Sequence, residues 1–162
     1  MAELSESART LLQGRHYAVL ATHDADGSIY LTPIWYIFRR DRVFVGAHSA
    51  SRKVRNIVER PNASLIVDIR KPGSEKWVSV SGPATILRGD EAKQINADIQ
   101  KRYLTEEALQ DPKIGPTFAS LDDVSISIHP TRWRSWSSKD LDAQFFGGIL
   151  GPTPQKWFRP VD

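Results

Sequence analysis

The sequence contains no cysteine, and this absence removes several classes of protein at once. A disulfide-stabilised scaffold, a zinc site built on thiolates and a thiol nucleophile all require that residue. Long hydrophobic stretches are missing too, since no run approaches the roughly 18 apolar residues that a transmembrane helix needs. The N-terminal segment MAELSESARTLLQGRHY has no basic start followed by an apolar core, as a signal peptide would. We therefore expect a cytoplasmic protein that does not enter a membrane.

The common catalytic signatures are also absent. No Gly-x-Gly-x-x-Gly follows a strand, and there is no Walker loop, His-Glu-x-x-His helix or nucleophile elbow. The histidines, at positions 16, 23, 48 and 129, are scattered and lack the spacing of metal ligands. The sequence therefore predicts neither a catalytic side chain nor a metal site.

The composition is that of an ordinary globular domain. The chain has 162 residues, 40% of them hydrophobic and 25% charged, which is enough for one domain with its own core. Its net charge of +3 and pI near 9.3 make nucleic acid an alternative partner. However, 22 basic residues are spread along the chain and balanced by 19 acidic ones, so a small anionic ligand explains a local basic cluster equally well. We expect no nucleic-acid binding.

Hydrophobic patterning predicts a mainly β fold. Six segments have the β-branched and aromatic content or the alternation of strands: residues 15–22, 29–38, 42–47, 63–69, 76–87 and 124–136. Within 76–87 we expect Trp77, Val80 and Ile86 to point inward and Gly82 to mark a bulge or bend. Helical spacing predicts an opening helix that ends near Gly14 and helices over 49–60 and 90–104. The hairpin connections favour a six-stranded antiparallel barrel with peripheral helices.

The composition changes after residue 136. Residues 137–162 combine glycines, prolines and aromatics, which is too apolar for a disordered tail and too interrupted for a helix. We therefore predict a barrel domain over residues 1–136, and an extended C-terminal arm over residues 137–162 that packs on the barrel or on a partner subunit.

The start of the second helix suggests phosphate binding. Ser49 or Ser51 can cap the helix, whose first N–H groups have no intrahelical partners. Arg52, Lys53 and Arg55 add positive charge and guanidinium donors that suit a phosphate dianion. The alternative interpretation is a solvated basic helix face, which is a common feature of soluble proteins.

Three short motifs then resemble a known family. They are Thr-Pro-x-Trp at 32–35, Ser-x-Ser-Arg-Lys-x-x-Asn at 49–56 and Arg-Pro-x-Ala-Ser at 60–64. In this order and spacing they are similar to FMN-binding split-barrel proteins related to pyridoxamine 5′-phosphate oxidase, which include flavin- and deazaflavin-dependent oxidoreductases. The resemblance continues through residues 77–84 and covers roughly residues 5–135.

The resemblance implies a homodimeric split barrel with cofactor sites at the subunit interface. The cofactor would be FMN or, alternatively, the deazaflavin coenzyme F420, whose ring carries the hydride and leaves the protein to bind and orient it. The residues implied along the ring are Pro33, Ile34, Trp35 and Tyr36. Those implied at the phosphate are Ser49, Ser51, Arg52 and Lys53, with Asn56 one turn on and Trp77 and Ser79 on a neighbouring strand. His48, at the entry to the helix, is a further candidate ligand of the phosphate or the ring.

The function implied is hydride transfer to or from a small conjugated substrate. The chain departs from pyridoxamine 5′-phosphate oxidase itself near its end, because residues 132–136 match the arginine-rich substrate motif only loosely. This departure argues against pyridoxamine phosphate as the substrate. The alternative function is non-catalytic binding of a flavin, haem or bile pigment, with His23, His48 or His129 as a haem ligand.

Overall fold

The computed structural model describes residues 4–161, which begin with a helix whose ends are set by its sequence. Helix α1 (Glu6–Gln13) starts after Ser5, whose Oγ accepts the backbone N–H of Ala8 at 3.2 Å. This cap satisfies one of the N–H groups that the first turn leaves without a partner. Ala8, Leu11 and Leu12 form the buried face, as the apolar spacing predicts, and the helix ends at Gly14.

The rest of the described chain contains eight strands and six further helices. The strands are β1 (Ala18–His23), β2 (Ile29–Ile34), β3 (Ile37–Arg39), β4 (Arg42–Ala47), β5 (Asn62–Ile69), β6 (Lys76–Leu87), β7 (Val124–Ile128) and β8 (Arg132–Ser137). The helices are α2 (Arg52–Glu59), α3 (Gly89–Tyr103), α4 (Glu106–Gln110), α5 (Ile114–Leu121), α6 (Ser138–Phe145) and α7 (Pro154–Trp157).

The strands form one antiparallel sheet that curls into a half-barrel. Their order is β2-β1-β5-β6-β7-β4-β3, and β8 pairs with β6 off this path. Strand β6 is long enough to join the two halves, since it pairs with β8 up to Ser81, with β5 up to Pro83 and with β7 from Ala84 onward. The predicted antiparallel split barrel with peripheral helices is confirmed.

The number of strands differs from the prediction because two of the predicted segments are interrupted. The segment 29–38 divides into β2 and β3 at Trp35 and Tyr36, whose side chains turn into different parts of the core. The segment 124–136 divides into β7 and β8 around Pro130, which has no N–H to donate to a ladder. Six predicted strands therefore become eight.

The C-terminal segment contains two short helices, α6 and α7, where the sequence predicted an extended arm. Its first part forms α6, which Ser137 caps by accepting the backbone N–H of Asp140 at 3.1 Å. The buried carboxylate of Asp142 then accepts the N–H groups of Leu150 and Gly151, which folds the glycine-rich stretch back onto the helix. Residues 105–117, for which no helix was predicted, likewise contain α4 and the start of α5.

The core lies between the concave side of the sheet and helices α1 and α2. Alternate residues of β5 and β6 are buried, including Leu65, Val67, Val78 and Val80, and Val54 of α2 packs among them. A smaller apolar cluster forms where α3 covers β4. None of the helices in the described range 4–161 is both long and apolar enough to cross a membrane.

Candidate cofactor site

The predicted helix start is the N-terminus of α2, where the serines have different partners. Asp123 accepts both the backbone N–H and the hydroxyl of Ser49, each at 2.6 Å. His48 turns back on the same loop, and its Nδ1 accepts the N–H of Ala50 at 3.1 Å. Ser51 occupies the N-cap position but makes no capping bond, and its buried Oγ has no hydrogen-bond partner among the described residues. The hydroxyl of Ser51 is therefore available to a ligand.

Two aspartates shape the electrostatics of this helix start. Burial raises the pKa of Asp122, which lies close enough to Lys53 and His48 to feel their charges. The hydrogen bond from the Ser49 hydroxyl lowers the pKa of the neighbouring Asp123. Lys53 is half-buried and has no salt-bridge partner in the part of the chain that the structure describes. Lys53 is thus a cation at this helix start that no carboxylate among the described residues holds in a direct ion pair.

Arg52 and Asn56 belong to a second group on the side of α2 that faces the β1–β2 hairpin. Arg52 donates from Nε and Nη2 to the two carboxylate oxygens of Asp24, at 2.8 and 2.7 Å. The side-chain amide of buried Asn56 donates to Asp24 at 2.9 Å and to Thr22 at 3.0 Å. The guanidinium of Arg52 also lies over the ring of Tyr30, 4.8 Å from its centroid. The predicted phosphate ligand Arg52 is therefore held in an internal ion pair.

Stability should depend on the ionisation of Asp24. The hydrogen bonds from Arg52, and then from Asn56, lower the pKa of Asp24 in the folded protein. Its contribution is therefore fully present above the unfolded-state pKa and is lost as the pH falls through the folded one. In urea titrations across this acid range, we expect the stability difference between wild type and Asp24→Asn to shrink as the pH falls. A difference that does not change with pH would contradict the role of the ion pair.

The aromatic residues predicted along the cofactor ring are packed inside the monomer. Trp35 stacks on Tyr103 of α3, with centroids 5.1 Å apart and ring planes 3° apart, and its ring also contacts Phe118 of α5. The hydroxyl of buried Tyr36 donates to the carbonyl oxygens of Leu12 and Gly14 at the end of α1. Burial raises the pKa of Tyr36, so the phenol remains neutral. These side chains stabilise the fold, and only their backbone groups are left for a ligand.

Pro33, Trp77 and Ser79 lie on the outer, convex face of the sheet. The prediction that Trp77 points inward is wrong, because Val78 and Val80 are buried and side chains alternate along a strand. Cross-strand pairing places Pro33, Val19, Ile66 and Ser79 in one row across β2, β1, β5 and β6. Three strand spacings separate Pro33 from Ser79, which is about 14 Å. Ile34 has the opposite orientation and packs against the core.

The structure therefore divides the predicted residues into several groups. His48, Ser49, Ser51 and Lys53 meet at the helix start, and Arg52 and Asn56 meet at the hairpin. Pro33, Trp77 and Ser79 share the outer face, while Ile34, Trp35 and Tyr36 are packed internally. The sequence analysis missed the residues that complete the first two groups: Thr22, Asp24, Asp122 and Asp123. The sequence signal that could have identified the aspartates was their position, since each lies within two residues of the end of a predicted strand.

Comparisons with known proteins agree with this architecture. A family model described as pyridoxamine 5′-phosphate oxidase matches residues 4–137. Among solved structures, a conserved hypothetical protein from Mycobacterium tuberculosis is 24% identical with a TM-score of 0.68, covering 87% of this chain and 88% of its own. A protein named F420 reductase is 24% identical with a TM-score of 0.63, covering 80% and 98% of the two chains.

A third structural neighbour is named for heme storage and not as a reductase. HutZ, described as the heme storage protein from Vibrio cholerae, is 18% identical with a TM-score of 0.61, covering 84% of this chain and 95% of its own. At these identities, the structural neighbours establish a common fold. No curated protein matches the chain.

Proposed function

Because the chain belongs to the pyridoxamine 5′-phosphate oxidase family, we propose that it is a flavin- or deazaflavin-dependent oxidoreductase acting on a small conjugated substrate. FMN is the first candidate cofactor. Coenzyme F420 is the alternative, and the neighbour named F420 reductase supports keeping it. Either cofactor supplies the hydride chemistry when bound, so the protein has to bind it, orient it and exclude water.

The observation that carries this proposal is the start of α2. A buried hydroxyl without a partner is costly, and a phosphate oxygen accepting from Ser51 would remove that cost. The ammonium of Lys53, two residues further along the chain, would add a charge-assisted hydrogen bond to the same group. The first-turn N–H groups of α2, which Ser51 does not cap, are further donors for an anion. Ser51 and Lys53 are thus the proposed phosphate ligands.

The outer face of the sheet supports a homodimer. Ile29 and Leu31 of β2 are 60% and 61% exposed, and Trp136 at the other side of this face is 39% exposed. Exposed apolar side chains gathered on one sheet face are typical of an interaction surface. We propose that a second copy covers this face, which would bring Pro33, Trp77 and Ser79 to the subunit junction where the cofactor ring lies.

The test begins with the purified protein. Its visible spectrum is recorded, any chromophore is released and identified by mass spectrometry, and the apoprotein is titrated with FMN and with coenzyme F420. Light scattering then gives the mass before and after loading. We expect a dimer in which each chain binds one molecule of cofactor, either FMN or coenzyme F420. A folded protein that binds neither cofactor would contradict the proposal.

Non-catalytic haem binding is the second candidate, and His23 is the observation that favours it. His23 is exposed at the end of β1 and, together with Arg132, lines a cleft of about 260 Å³ on the outer face. An imidazole ligates haem iron, and a guanidinium suits a propionate. The heme storage protein among the structural neighbours is consistent with this candidate. Haemin titration would then give a Soret band that His23→Ala abolishes, whereas no band would exclude it.

A further inference from the structure

A second cavity lies at the opposite end of β4 from helix α2. It is a groove of about 730 Å³ between the β3–β4 hairpin, the second half of β6, strand β7 and the start of α3, and we call it the arginine groove. Arg42 lines it at the first residue of β4, whereas the loop to α2 leaves β4 after Ala47. At about 3.3 Å per residue, roughly 17 Å of strand separates the two ends. The arginine groove is therefore distinct from the proposed phosphate site.

The charges of the arginine groove are predominantly positive. Arg39, Arg40 and Arg42 line it, against a single carboxylate, that of Glu91. Asp98 neutralises Arg39 through an ion pair of 2.9 Å. Within residues 4–161, neither Arg40 nor Arg42 has a salt-bridge partner. Two guanidinium groups thus remain for an external anion.

Asp41, the acidic residue of the β3–β4 turn, does not neutralise these arginines. Arg40 and Asp41 have φ values of 50° and 55°, in the left-handed region that tight hairpin turns use. The carboxylate of Asp41 accepts a hydrogen bond from Arg9 of α1 at 2.6 Å. Because Asp41 is paired with α1, it does not form an ion pair with the adjacent Arg40.

A buried hydroxyl lies at the inner end of the groove. Ser127 is only 1% exposed, lines the cavity, and its Oγ has no hydrogen-bond partner among the described residues. It pairs across the sheet with Phe44 on one side and Thr85 on the other. Buried hydroxyl groups are nearly always hydrogen-bonded, so an unpartnered one that lines a cavity indicates a missing acceptor or donor. This observation is independent of the arginines and also indicates a polar ligand.

The apolar residues that line the groove indicate that the ligand also has an apolar part. Phe44, Leu87 and Ile95 provide an apolar wall where α3 covers β4 and β6. Phe44 and Ile95 are already largely shielded, at 8% and 1% exposure, so an aryl or acyl group would cover chiefly the half-buried Leu87 and the remaining exposed part of Phe44, which a bare inorganic anion would leave in water. We propose that the arginine groove binds a small organic anion, with its carboxylate or phosphate at Arg40, Arg42 and Ser127 and its apolar body against Phe44 and Leu87.

The test uses benzoate, phenyl phosphate and inorganic phosphate as probes. Each is titrated into ¹⁵N-labelled full-length protein at low ionic strength, and amide shifts are followed by NMR. We expect benzoate or phenyl phosphate to shift the amides around Ser127 and Arg42, with a Kd of about 1 mM or tighter. Inorganic phosphate should bind less tightly than phenyl phosphate, because it makes no contact with the apolar wall. The stronger of the two organic probes identifies the acidic group.

Three variants make the result decisive. Arg42→Gln and Ser127→Ala should each weaken binding about tenfold, since each removes a hydrogen bond to a charged ligand. Arg159→Gln is the matched control, because it removes the same charge from an exposed position after α7, outside the lining of the arginine groove. The proposal is overturned if no organic probe binds at millimolar concentration. It is equally overturned if Arg159→Gln weakens binding as much as Arg42→Gln, which would indicate non-specific attraction.

Discussion

Replacing Gly82 by alanine should lower the free energy of unfolding by about 3 kcal/mol, close to the upper end of overpacking effects. A Cβ atom at this position would lie 2.0 Å from the carbonyl oxygen of His129 and 3.0 Å from the backbone nitrogen of Thr131. The backbone cannot move away easily, because His129 donates to the carbonyl of Pro83 and Thr131 donates to that of Ser81. Moving the backbone to relieve the overlap would break at least one of these two hydrogen bonds.

Thermal and urea unfolding measure this effect directly. For a chain of this length, about 3 kcal/mol corresponds to a decrease in Tm of about 9 °C. Gly151→Ala is the matched control, since its Cβ would meet only the carboxylate of Asp142, at an ordinary 3.6 Å. We expect that control to change stability by less than about 0.5 kcal/mol. Equal stability of the two variants would contradict the prediction, because it would show that the backbone around Gly82 accommodates a Cβ atom.

The second large effect concerns the proposed phosphate site. Lys53→Ala should weaken the affinity for FMN or coenzyme F420 by about 10- to 100-fold, because it removes a charge-assisted hydrogen bond to the phosphate. Stability should change little, since Lys53 has no salt-bridge partner among the described residues. The affinity is measured by flavin fluorescence quenching or equilibrium dialysis on the apoprotein.

Lys101→Ala provides the control for this experiment. Lys101 is exposed on α3, and its replacement changes the net charge by the same amount without touching α2. If both variants lose affinity equally, the effect comes from the overall field of the protein and the assignment to Lys53 is wrong. If neither does, the cofactor phosphate binds elsewhere. In that case the family membership stands and only the proposed site is withdrawn.

Local elements were largely predictable from the chain. The opening helix, with buried Ala8, Leu11 and Leu12, follows from residues three and four apart, and α2 follows from the same spacing. The hairpin turn between β1 and β2 follows from Gly27, which has a φ of 84°. The strand count was wrong in part because Trp35 and Tyr36 pack against helices that are distant in sequence, and such contacts leave no local signal. The second break, around Pro130, does have a local cause in the missing N–H of proline.

The candidate site was predicted less completely. The segment containing Ser51 and Lys53 is recognisable from its motif, and within residues 4–161 the Ser51 hydroxyl has no hydrogen-bond partner and Lys53 has no salt-bridge partner. Arg52 carries the same motif signal, yet Asp24 pairs with it across 28 residues of sequence. A motif identifies residue types, whereas the partners of those residues depend on which loops the sheet brings together.

By itself, the sequence determined the family, the antiparallel half-barrel and the helix that carries the proposed phosphate ligands. These features depend on short-range patterns of apolar, glycine and proline residues, which act within a few positions of one another. The tertiary structure alone decided the orientation of Trp77, the ion pair of Arg52 and the position of Ser127 beside three arginines. Each of these depends on strand register and on contacts between distant segments. They are fixed only when the whole sheet closes around its core.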